Sequence, residues 1–148
     1  MDYEAIRSGL AQAVPFNGHL GLEVLEVGDG FAKVRLPDED RLKNHVGSQH
    51  AGALFGAGEA ASGAAVVGAF AEHLGSVTPL VKNAQIRFTK IALGPIVAAA
   101  RIEEPVTSVL ERLERDRRSD FAVRVELTNG EGAQVGELTV TWMVRKAS

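Results

Sequence analysis

Residues 51–71, AGALFGAGEAASGAAVVGAFA, contain one ionisable side chain, Glu59, in a run otherwise made mostly of Ala and Gly. The run is long enough to cross a bilayer. Its weak hydrophobicity, the carboxylate near its middle and the lack of flanking Lys, Arg and aromatic anchors argue against a span. A buried helix of a soluble domain explains it better. Gly52, Gly56, Gly58, Gly63 and Gly68 would each cost a helix interior about 1 kcal/mol relative to Ala. Something must offset that cost, and small side chains all round a helix let other backbone approach closely, from a wrapped sheet or a second helix. The segment is expected to be the buried axis of the fold.

The flanking sequence supplies what would wrap it. Residues 2–13 carry Ile6, Leu10 and Ala13 at helical spacing, with Pro15 and Asn17-Gly18 expected to stop that helix. Leu20–Leu36 alternates, with Leu22, Val24 and Val27 before Gly28-Asp29-Gly30 and Phe31, Val34 and Leu36 after it, which predicts a hairpin. Residues 37–49 are polar, begin with Pro37 and predict a loop. Val81–Ile91 and Ile96–Glu103, separated at Gly94-Pro95, predict a second hairpin. Residues 106–118 place Val106, Val109, Leu110 and Leu113 on one stripe and Glu111/Arg115 and Glu114/Arg118 as i,i+4 pairs opposite, a surface helix. Phe121–Leu127 and Val135–Val144, around Thr128-Asn129-Gly130, predict a last hairpin. The expected architecture is a single α+β domain over residues 1–148, an antiparallel sheet of about five to six strands curled around a long central helix.

Several function classes drop out. No strand leads into a glycine-rich phosphate loop, so Rossmann and P-loop readings have no support. The net charge is -3 with no isolated basic run, against a nucleic-acid partner. Cysteine is absent, which removes disulfides, thiolate metal sites and a cysteine nucleophile. That absence and an N-terminus without the pattern of a secretory signal make the cytoplasm the expected compartment and a membrane partner unexpected. His19, His45, His50 and His73 show no metal-ligand spacing, so no metal is expected. Ser48 and Ser62 lie outside any Gly-x-Ser-x-Gly elbow, so capping or small-residue packing suits each better than a nucleophile's role.

Polar groups concentrate in Asn44–Glu59, NHVGSQHAGALFGAGE. Ser48, Gln49 or His50 should cap the helix, leaving backbone N–H groups near His50–Gly52 pointing outward with the positive end of the helix dipole behind them, able to hold an oxyanion. Glu59, a lone carboxylate in apolar surroundings, should have a raised pKa, which suits a general base or nucleophile. Equally, it could hydrogen-bond buried backbone or lie at a wet interface. Eight residues of helix separate Ala51 from Glu59, a rise of roughly 12 Å. One carbonyl cannot easily touch both, so a shared site would take its carboxylate from a neighbouring subunit, in a homodimer or homotetramer with two glycine-rich helices side by side.

This stretch resembles the active-site signature of the hotdog thioesterases of the phenylacetic-acid-pathway type, especially the DUF4442 branch: Asn44 in the loop, the His-Gly-Gly-like turn His50-Ala51-Gly52, and Glu59 on the helix. The resemblance implies a hotdog fold and hydrolysis of an acyl thioester such as an acyl-CoA. Glu59 would act as base or nucleophile, Asn44 would position water or substrate, and the Ala51 N–H would polarise the carbonyl. His50 would cap the helix or line the site, and Gly52 would lie against substrate. Two departures stand out. Ala51 replaces the first glycine of the turn, and the Ser or Thr that relatives carry on the following strand falls near Val81, with Asn83 as substitute. Coenzyme A would enter as part of the substrate, with no separate cofactor, its phosphates met by Lys82, Arg87 and Lys90. Arg112, Arg115, Arg117 and Arg118 read mainly as a solvated helix face. Two rival functions remain: an enoyl-thioester hydratase or dehydratase pairing His45 with Glu59, though without the flanking prolines of that pattern, and a non-catalytic acyl-CoA-binding module.

Overall fold

A computed structural model of the chain describes residues 1–147. In order, the elements are α1 (Tyr3–Ala13), α2 (Pro15–Leu20), β1 (Glu23–Gly28), β2 (Phe31–Leu36), a short 3-10 turn (Asp40–Leu42), α3 (Ala51–Ala69), β3 (Val77–Phe88), β4 (Ile96–Ile102), α4 (Val106–Asp116), β5 (Arg118–Thr128) and β6 (Gln134–Lys146). The strands form one antiparallel six-stranded sheet in the order β1-β2-β4-β5-β6-β3. It curls around α3, whose Ala57, Ala61 and Ala65 are fully buried in the same core as Val34, Ile96, Val125 and Leu138 of the strands. No helix among the described residues is long and apolar enough to cross a membrane.

The glycines of α3 lie where other elements come closest. A Cβ at Gly58 would meet the Leu138 side chain at 2.6 Å, and one at Gly68 would lie 1.9 Å from the Gly28 backbone oxygen. The sheet supplies the close approach that the composition requires, and packing offsets the helix-propensity cost.

The first helix ends at Ala13, before Pro15, as expected, and Pro15 itself opens α2, since it lacks the N–H that a first helical turn leaves unpaired and Val14 before it is extended. Three expectations are corrected. Val81–Ile91 and Ile96–Glu103 do not form a hairpin, for β3 pairs with β6 at the sheet edge while β4 lies between β2 and β5. The link between them passes the start of α3, where the Gln49 N–H donates to the Ala92 carbonyl at 2.9 Å. Its polar groups are satisfied by the loop before α3 instead of by a ladder. Phe31 leaves the inward row, which strict alternation assigns to Ala32, Val34 and Leu36, and its ring meets the Arg101 guanidinium at 5.3 Å. Finally, Arg117 adopts a left-handed conformation (φ 58°) that ends α4 and sends Arg118 into β5. Neither expected i,i+4 pair forms: Glu114 pairs with Lys146, Arg115 with Asp116 and Arg118 with Asp120.

Candidate active site

The loop before α3 is organised by Asn44. Its Oδ1 accepts from the N–H groups of Val46 (3.1 Å) and Ser48 (3.0 Å), and its Nδ2 donates to Ser48 Oγ (2.8 Å). Gly47 completes the turn with φ 82°, a conformation that favours glycine. The Asn44 amide is thereby committed to holding the loop.

Gln49 ties the loop to its neighbours. It is 3% exposed, and its Nε2 donates to the carbonyls of Pro37 and Gly94, each at 2.9 Å. Its Oε1 has no partner among the described residues. The sequence pointed to Gln49 only as a possible cap; a long amide in a polar loop carries no signal of such a three-segment clamp.

His50 is the N-cap of α3. Its Nδ1 accepts from the Gly52 N–H at 2.8 Å, an arrangement that assigns a neutral imidazole protonated at Nε2. The N–H groups of Ala53 and Leu54 donate to the His50 carbonyl at 3.0 Å. With Gly52 capped, the Ala51 N–H is the donor of this helix end left without an acceptor among the described residues.

Ala51, Phe55, Glu59, Gly63 and Val67, four residues apart, are positions of α3 that the sheet leaves partly open, a stripe that winds by about 40° per step round the helix. Glu59 is half-buried there, without a cation or hydrogen-bond donor at its carboxylate among the described residues, and burial raises its pKa above the ordinary glutamate value. The next turn is pinned from across the sheet. Ser62 Oγ donates to the Glu59 carbonyl at 2.7 Å and accepts from Trp142 Nε1 at 3.0 Å. The packing role expected of Ser62 is therefore joined by a buried hydrogen bond to Trp142, which sequence reasoning missed because the two residues lie 80 positions apart.

Two concave spaces flank this side of α3. A cavity of about 260 Å³ is lined by Leu10, Val24, Glu59, Gly63, Val67 and Trp142, with Asn17 as a second polar group. A shallower depression of about 390 Å³ at the start of α3 is lined by Asn44, Gln49, Ala51, Phe88 and Lys90. Ala51 and Glu59 thus face different spaces within one chain. Of the three expected phosphate partners, Lys90 lines that depression, Lys82 pairs with Asp120 at 2.9 Å and Arg87 lies 3.7 Å from Glu137. Asn83 is exposed at the β-bulge of β3, and neighbouring Val81 is exposed as well. His45 is exposed at the tip of the loop and lines neither space. Arg112 is held by Glu104 at 2.7 Å and by the Asp120 carbonyl at 2.9 Å.

The family model described as a domain of unknown function, DUF4442, matches residues 3–144. The chain belongs to the DUF4442 family. No curated protein sequence matches this DUF4442 chain. Among solved structures it is similar to a Pseudomonas aeruginosa protein described as a probable thioesterase, with 26% identity, a TM-score of 0.86 and coverage of 97% of this chain and 95% of that one. It is also similar to a protein of unknown function from Chlorobaculum tepidum, with 15% identity, a TM-score of 0.84 and coverage of 97% and 94%. The Escherichia coli PaaI protein from the phenylacetic acid degradation operon superposes with 15% identity, a TM-score of 0.72 and coverage of 95% and 90%. The DUF4442 chain has the hotdog fold, with α3 as the central helix inside the sheet.

Proposed function

We propose that this DUF4442 protein hydrolyses acyl thioesters of the acyl-CoA type, with Glu59 as the group that activates water. The observation that carries the reading is the Glu59 carboxylate: half-buried, without a compensating cation among the described residues, raised in pKa, and placed on the wall of an apolar cavity. A carboxylate made more basic by desolvation takes a proton more readily near neutral pH. As general base it accepts a proton from water while the oxygen adds to the thioester carbonyl carbon. The Ala51 N–H, backed by the α3 dipole, stabilises the resulting oxyanion. Collapse breaks the C–S bond, and the proton held by Glu59 passes to the leaving thiolate, giving carboxylic acid and thiol. In the alternative route the carboxylate oxygen itself adds to the carbonyl carbon and the C–S bond breaks to give a mixed anhydride and a thiolate; water then cleaves the anhydride, restoring Glu59 and supplying the proton that the thiolate takes up.

The roughly 12 Å of helix between Ala51 and Glu59 gives the assembly a part in the chemistry. In a homodimer with two α3 helices side by side and antiparallel, Glu59 of one copy would approach Ala51 of the other. The edge strand β3 supports such pairing. It has β6 as its one neighbour among the described residues, and Leu80, Val81 and Phe88 are exposed along it. Lys90, beside Ala51 and without a carboxylate within 4.0 Å among the described residues, suits a coenzyme A phosphate at the mouth of the site. Asn44 and His50 would shape the loop and the cap that present the Ala51 N–H. The exposed position of His45 gives the hydratase reading no support.

The test is thiol release from short, long and aromatic acyl-CoAs by the wild-type protein and by Glu59→Ala, with circular dichroism to confirm that the variant is folded. A wild-type rate that drops by two or more orders of magnitude in the variant is expected. Turnover of a 2-enoyl thioester without thiol release would replace hydrolysis by hydration. Tight acyl-CoA binding without turnover, unchanged in Glu59→Gln, would make the protein a binding module.

A further inference from the structure

We infer that the cavity beneath the N-terminal helices is the acyl site of this protein and that it takes a compact apolar acyl group, a single ring or a medium-length chain, and excludes long fatty-acyl chains. The inference rests on the thioester reading of Glu59. The cavity belongs to one chain and brings together α1, α2, β1, β2, α3, β3 and β6. Among the described residues, Glu59 and Asn17 are its polar side chains apart from the indole N–H of Trp142, which is spent on Ser62. Along α3 it runs from Glu59 past Gly63 to Val67, two successive turns and a rise of roughly 12 Å. A carbonyl held beside Glu59 would therefore direct its acyl group toward Val67, away from the depression at the start of α3.

Small residues create this space and one large residue limits it. Gly63 contributes no side chain in the middle of the run, and the Trp142 ring lies 3.4 Å from where its Cβ would be. The ring is fixed, because its N–H is hydrogen-bonded to Ser62, which in turn holds the Glu59 carbonyl. Leu10 and Val14 also line the cavity. The volume of about 260 Å³ exceeds the ~150 Å³ of a dry apolar cavity that admits benzene. It falls below the roughly 300–1,000 Å³ of sites for larger ligands. One ring with a short linker, or a chain of comparable bulk, fits between those bounds.

The experiment measures binding of S-butyl-, S-octyl-, S-hexadecyl- and S-phenethyl-CoA, thioethers that cannot be hydrolysed, to the full-length wild type and to Val24→Phe, which fills the cavity from β1. Burial of each methylene is expected to tighten binding about fourfold until the space is full. Affinity should rise from S-butyl to S-octyl and gain nothing at S-hexadecyl. Val24→Phe should weaken S-octyl and S-phenethyl binding at least tenfold and S-butyl binding less than twofold. Gly63→Ala, a smaller filling at the same wall, gives the same ordering with smaller losses should Val24→Phe melt below the assay temperature. Affinity that keeps rising to S-hexadecyl, or losses equal for all four probes, would overturn the assignment. Thiol release from the matching acyl-CoAs separates the two readings. Length-limited binding without hydrolysis leaves the pocket and removes the enzyme, whereas hydrolysis with length-independent binding leaves the enzyme and removes the pocket.

Discussion

The same substitution at two glycines of α3 should move stability in opposite directions. Replacing an interior helix glycine by alanine stabilises by about 1 kcal/mol through helix propensity alone. At Gly63 the new methyl would lie 3.4 Å from the Trp142 ring, an ordinary van der Waals contact, so most of that gain should survive. At Gly68 it would lie 1.9 Å from the Gly28 carbonyl oxygen. The obstacle is backbone and cannot swing aside like a side-chain tip, so α3 and the β1–β2 hairpin must separate. Overpacking of this kind costs roughly 1–3 kcal/mol, and a backbone clash belongs at the upper end. Gly68→Ala should therefore lose about 2 kcal/mol net. For a chain of 148 residues, each kcal/mol shifts Tm by roughly 2–4 °C. Thermal unfolding followed by circular dichroism should place Gly63→Ala a few degrees above wild type and Gly68→Ala roughly 4–8 °C below it. Shifts of the same sign in both variants would refute the claim that these glycines answer to the distance of the neighbouring backbone.

Three further predictions concern the site. The raised pKa of Glu59 means that the folded state holds this proton more tightly than the unfolded chain does; the cost of burying the ionised carboxylate is absent below the unfolded value of 4.5 and fully present above the folded one. Glu59→Gln should thus raise Tm at pH 8, leave it unchanged below about pH 4 and abolish thiol release; equal melting at both pH values would contradict the desolvation argument. His50→Ala removes the acceptor for the Gly52 N–H and should cost about 1 kcal/mol in urea unfolding, with His50→Asn recovering most of it. Asn44→Ala removes the acceptor for two backbone N–H groups and should cost roughly 1–3 kcal/mol, whereas Asn44→Asp keeps that acceptor and should lose less than half as much in the same assay.

The central helix was legible because its composition poses a physical problem, a string of small residues and one charge, that burial solves. The β1–β2 and β5–β6 hairpins were legible because alternation and turn residues lie close together in the chain. The partner of β3 was not, since alternation marks a strand without naming its neighbour, and β3 and β6 meet only after β4, α4 and β5 have intervened. The left-handed Arg117 was equally hidden, for arginine gives no sign of a conformation usually left to glycine. At the site, the lone carboxylate and the helix cap could be found locally. The cavity could not, because its walls run from Leu10 to Trp142 and exist only after the sheet has closed.

Asn44 and Glu59 stand on different physical footing. The turn itself gives Asn44 a sufficient reason, with both faces of its amide used to close the loop. Glu59 has no such reason: its carboxylate takes no part in capping or ion pairing among the described residues, and an apolar side chain there would avoid the desolvation cost. A carboxylate that weakens the fold while facing a cavity is the kind of group whose presence a bound substrate can explain. The Ala51 N–H has a similar asymmetry, a donor without an acceptor among the described residues at the positive end of a long buried helix. Among the described residues both groups lie unsatisfied on the partly open stripe of α3, too far apart to serve one carbonyl within a chain, which is why the proposed hydrolysis calls for two copies paired across it.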